Sequence, residues 1–167
     1  IEIDGFDPIV GKATTTWVSC FGEKDGTITA TATGGDGNLT FTLSKTGFTT
    51  VKNQTGLFSG LGAGVYTLTV SDKTGCTPHV IFVEVKEPAK LVLDLQKVDV
   101  SCKGYQDGII RYTITGGTPP YQESTNNGDN WYEIALSNDD VTIYDKRARA
   151  GVYVVMIKDA NGCQTEG

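Results

Sequence analysis

The chain has 167 residues, 38% of them hydrophobic and 20% charged, so it can bury a core and need not be disordered. Its net charge of -6 disfavours nucleic acid and anionic membrane as partners, and no apolar run approaches the roughly 18 residues of a membrane-spanning helix. Gly is 21 of 167 and Thr is 23, against one Met and one His, which favours strands and turns over helices.

Residues 1–8 read as a lead-in strand or the tail of a preceding repeat, and a chain beginning at Ile1 is expected to be processed or excerpted. Ser19-Cys20-Phe21-Gly22-Glu23-Lys24-Asp25-Gly26 comes next, with Asp25-Gly26 just before a strand, where Gly can take a positive φ. Thr27 to Thr33 alternates with Thr on one face and ends at Gly34-Gly35. Leu39–Leu43 and Thr49–Lys52 are short strand candidates. Gly64-Val65-Tyr66 opens a strand that turns Tyr66, Leu68 and Val70 inward, and the Tyr resembles a tyrosine corner. Asp72-Lys73-Thr74-Gly75 fits a type I turn, and His79 to Lys86 is a further strand.

The pattern then repeats. Ser101-Cys102 through Asp107-Gly108 and Gly116-Gly117 return at an offset of 82; Gly151-Val152-Tyr153 and Asp159-Ala160-Asn161-Gly162-Cys163 return at 87. Leu91–Leu95 and Val141–Tyr144 are strand candidates. Ile110, Tyr112 and Ile114 are expected inside, as are Tyr153, Val155 and Ile157. The charge divides evenly between the halves. The domains are read as 1–8 lead-in, 9–88 repeat 1 and 89–167 repeat 2, the last expected to lack its final strand. The expected fold is all-β: two tandem immunoglobulin-like antiparallel β-sandwiches of about seven strands each. The join from Val85 to Leu91 leaves about four residues, one of them Pro88.

Four Cys allow three pairings. The repeat favours Cys20 with Cys76 and Cys102 with Cys163, one bridge per unit, which implies an oxidising compartment. A four-Cys zinc site is disfavoured because no C-x-x-C pair is present.

Cys20-x-Gly22-x-x-Asp25-Gly26, Gly34-Gly35, Leu61-x-Ala63-Gly64-x-Tyr66 and Asp72-x-x-Gly75-Cys76 resemble the SprB repeat over nearly the whole chain. So do Gly116-Gly117-Thr118-Pro119-Pro120-Tyr121 and the second Asp-x-x-Gly-Cys. The sequence departs from that pattern at Asp36-Gly37-Asn38-Leu39 and at Ala148. The resemblance implies repeats of large adhesins on the surface of Bacteroidetes, exported by type IX secretion and used in attachment or gliding. Neighbouring repeats would be the first partners, then surface polysaccharide or other chains of a filament.

Candidate site residues are few. His79 lacks a second-unit counterpart and reads as a cross-strand residue rather than a catalytic base. Asp25, Asp72, Asp107 and Asp159 read first as turn caps, with calcium as the cation they would suit and a glycosidase pair as a remoter reading. Asp139, Asp140 and Asp145 read as an acidic loop on the same terms. Trp131-Tyr132 offers a sugar-stacking platform, but Phe48 occupies the matching place and favours core packing. No catalytic residue or required cofactor is expected. A polysaccharide-binding module is the alternative function.

Overall fold

The computed structural model describes residues 5–134 and 141–167. Among them every regular element is a strand, and the chain divides into unit 1, Ile1–Glu87, and unit 2, Pro88–Gly167.

Unit 1 holds β1 (Val10–Thr16), β2 (Gly26–Thr33), β3 (Thr40–Lys45), β4 (Phe48–Asn53), β5 (Leu57–Leu61), β6 (Gly64–Ser71) and β7 (His79–Val85). They form two antiparallel sheets, β1-β2-β5 and β4-β3-β6-β7. Period-two sequence places one face of each strand inside. Ile28 of β2, Leu43 of β3, Leu68 and Val70 of β6 and Val85 of β7 are at most 1% exposed, in one core between the sheets.

Unit 2 repeats the plan with β8 (Val92–Val98), β9 (Gly108–Thr115), β10 (Gln122–Ser124), β11 (Tyr132–Glu133), β12 (Val141–Ala148), β13 (Met156–Lys158) and β14 (Gln164–Glu166). The sheets are β12-β9-β8 and β11-β10-β13-β14, the same order as in unit 1. Tyr112, Ile114, Val155 and Ile157 form the centre of its core. Both units are β-sandwiches, as the alternation predicts.

Several expectations change in detail. β1 and β5 escape the sequence reading. β1 has Gly11, Ala13 and Thr15 on its half-buried face, so no apolar alternation marks it. β5 carries an extra residue: Gly26 faces Leu61 and Ile28 faces Phe58, and this bulge breaks the period. Gly26 and Gly108 do not have positive φ. They are required for space, since a Cβ on Gly26 would stand 2.6 Å from Val85 Cγ1. Tyr153 is 43% exposed rather than inside. Gln164–Glu166 supplies a short β14 beside β13, where unit 1 has β7 beside β6, so part of the strand expected to be missing is present. Residues 7 and 8 also belong to unit 1, because Asp7 O accepts from Gly35 N at 2.8 Å.

Candidate functional site

The recurring motifs gather at the two ends of each sandwich. At the leading end of unit 1, Gly34 and Gly35 have φ of +90° and +59°. A Cβ on Gly34 would lie 2.1 Å from Pro8 O, so only Gly fits under the arriving chain. Asp72 organises this end. Its carboxylate accepts from the amides of Asp36, Thr74 and Cys76, each at 3.2 Å, and from the Thr74 hydroxyl at 2.7 Å. The Thr74 hydroxyl is the main cause that holds this carboxyl down at about 2; partial burial opposes it, and Cys76 and the Asp36 amide add to it. Unit 2 builds the same end with Asp159, which accepts from the amides of Thr118, Asn161 and Cys163 at 2.9 Å each. Gly117 N donates to Ala89 O at 2.8 Å, the counterpart of Gly35 and Asp7.

At the trailing end of unit 1 the loop from Trp17 to Asp25 folds on itself. Ser19 N donates to Asp25 Oδ1 at 2.9 Å and Glu23 N to Cys20 O at 3.1 Å. Two further bonds clasp the departing chain, Val18 N to Lys86 O at 3.0 Å and Gly22 N to Glu87 Oε2 at 2.8 Å. Unit 2 repeats the loop with Ser101 N to Asp107 Oδ1 at 3.1 Å and Tyr105 N to Cys102 O at 3.1 Å. Bonds from Ser19 and Ser101, side chain first and then amide, lower the carboxyl pKa of Asp25 and Asp107.

The four repeated carboxylates are thus turn and loop acceptors. Asp25 and Asp72 stand at opposite ends of their unit, as do Asp107 and Asp159, so neither pair converges on a shared cation or a sugar. Among the described residues no group of three or more His, Cys, Asp or Glu is placed to hold a metal ion.

The same geometry corrects the disulfide pairing. Cys20 lies in the trailing-end loop, beside the β6–β7 rung Gly64–Val85; Cys76 lies at the leading end, past the rung Val70–His79. Six residues of strand, about 20 Å, separate the two rungs, whereas a disulfide needs Cα atoms within about 7 Å. In unit 2 Cys102 follows the Val98–Ile109 rung and Cys163 sits beside Asp159 at the opposite end. Neither Cys20–Cys76 nor Cys102–Cys163 is formed. Cys76 and Cys102 are free thiols.

The remaining candidates are dispersed. His79 opens β7 opposite Val70, with no base-and-nucleophile partner described. Asp145 is in strand β12, not a loop, and pairs across to Arg111 at 2.6 and 2.7 Å; Asp139 and Asp140 lie outside the described residues. Tyr132 is 62% exposed, so the expected core role fails for it. Lys158 Nζ stands 4.3 Å from the Trp131 ring centre. Phe48 does pack inward, edge-on to Tyr66 at 5.4 Å. A polar group in unit 2 was not read from sequence: buried Glu123 accepts from the Tyr112 hydroxyl and pairs with Lys146 at 3.2 Å. Its signal was a Glu where the first unit has Phe41.

Two sandwiches, each of seven strands among the described residues, with the same sheet order and the same end loops define a tandem β-sandwich repeat protein. The SprB repeat family model matches residues 13–48 and 95–130, one stretch in each unit. SprB repeats are modules of cell-surface proteins. The matched stretches span β1 to the start of β4, and β8 to the loop after β10. The Gly-Val-Tyr and Asp-x-x-Gly-Cys motifs lie outside them, so the match is shorter than the resemblance seen in the motifs. No curated protein matches the chain.

Proposed function

We propose that the two units are non-catalytic spacer modules of a large bacterial surface adhesin or filament, of the kind Bacteroidetes export by type IX secretion for attachment or gliding. One observation carries this reading. In each unit the chain arrives beside the double glycine and the leading-end Asp, while the Cys20 or Cys102 loop occupies the other end; in unit 1 the chain also departs there. A module threaded from end to end lengthens a stalk with every copy. The repeated carboxylates serve turns, which supports a spacer over a catalytic module.

Antibody raised against the chain tests the reading on intact cells of the source organism. Surface labelling without permeabilisation, on a very large polypeptide, is the expected result; antigen confined to lysed cells contradicts it. Exposed Tyr132 beside Trp131 favours a second reading, in which unit 2 holds polysaccharide. A pull-down of the whole chain on surface polysaccharides separates the two. Retention abolished by Y132A would favour binding; no retention favours the spacer.

A further inference from the structure

We infer that the outward face of unit 2 carries a binding site for a carboxylate-bearing sugar, built on Lys158, Gln122 and Trp131. The inference rests on the second reading above, that unit 2 holds polysaccharide, and names the class of sugar. Gln122 of β10 stands opposite Lys158 of β13 in the sheet register. Their neighbours Glu123 and Ile157 are buried, so alternation turns Gln122 and Lys158 outward, side by side. Beside them lies a groove of about 420 Å³, bordered also by Pro120, Asp159 and Asn161. A concave surface with a few convergent polar groups is the ordinary form of a small-ligand site. Lys158 Nζ stands 4.3 Å from the Trp131 ring centre, a cation–π contact that positions the ammonium at the groove. Among the described residues Lys158 forms no ion pair. Asp159, the one acid in the lining, is 3% exposed and already serves three amides.

Unit 1 shows that the fold does not demand these residues. At the offsets of the repeat, the rung Gln122–Lys158 corresponds to Thr40–Ser71, which carries two short hydroxyl side chains. Phe48, in the place matching Trp131, packs edge-on to Tyr66, whereas Trp131 takes the Lys158 ammonium. The same sandwich stands without the cation and the amide, so their convergence on a groove in unit 2 points to a ligand. Its chemistry follows from the groups. The ammonium pairs with a carboxylate, and the Gln122 carboxamide can both donate to and accept from sugar hydroxyls. The chain's net charge of -6 opposes any general attraction to a polyanion, so retention of one has to be local.

The test is retention of the whole chain on immobilised polygalacturonate and on dextran, a neutral glucan, at physiological ionic strength. Wild type should be retained on polygalacturonate and pass through dextran. K158Q should weaken retention about ten-fold or more, since one charge-assisted bond is lost. K97Q, which alters an exposed lysine outside the groove, should not. W131A should weaken retention and W131F restore it, because Phe keeps a ring beside the ammonium. Equal retention on both polymers, retention unchanged by K158Q, or an equal loss in K97Q would overturn the inference. Retention lost in Y132A but kept in K158Q would overturn it and leave the second reading standing. No retention on either polymer also overturns it, and the pull-down on surface polysaccharides then decides the second reading by itself.

Discussion

Asp72 and Asp159 each hold a turn, a neighbouring loop and a cysteine in place, and this work depends on charge. The folded state keeps the Asp72 carboxyl at about 2, below its ordinary 3.8. Its contribution to stability is therefore complete above pH 4 and is lost as pH falls through about 2. Denaturant titrations of wild type and D72N at pH 6 and pH 2 should show a gap that narrows at the lower pH; a gap independent of pH would contradict the assignment. Asp159 is 3% exposed and serves three amides. D159A should cost about 2–4 kcal/mol by urea unfolding, since buried donors lose their acceptor. Glycine obeys a similar local logic. A Cβ on Gly116 would stand 2.1 Å from Lys90 O, whereas at Gly104 nothing lies within 4 Å, although both have positive φ. G116A should therefore destabilise by at least about 2 kcal/mol more than G104A, as strain against backbone adds to strain in φ. Equal losses would leave the close approach without consequence.

The elements show which parts of the fold sequence can reveal. β2, β6 and β9 carry unbroken alternation and lie where it puts them, with Ile28, Leu68 and Tyr112 in the cores. β1 and β5 were illegible for physical reasons: small residues pack without an apolar signature, and a bulge shifts the period. The tyrosine corners were legible as a motif but not in their depth. Tyr66 and Tyr153 both donate to the carbonyl four residues back, Gly62 at 2.8 Å and Arg149 at 3.1 Å. Only Tyr66 is buried. Y66F should cost about 1–2 kcal/mol and Y153F close to nothing, measured by thermal or urea unfolding. Similar losses at both sites would show that burial does not separate them. The turn role of the repeated Asp residues was legible from their spacing. The cysteine partners were not, because a repeat places equivalent residues without saying at which end of the sandwich each one falls.

At the scale of the whole molecule, the proposed spacer role rests on where the chain enters and leaves a module. Unit 1, whose longest strands run eight residues, near 26 Å, and whose arriving and departing segments are bound at opposite ends, would add length to an array. Concatemers of the full chain with two, four and six units, imaged as single molecules by electron microscopy, test this most directly. The account predicts a contour length that grows linearly, by about 30–40 Å per unit, the strand length plus its end loops. Particles whose longest dimension stays constant as units are added would contradict it.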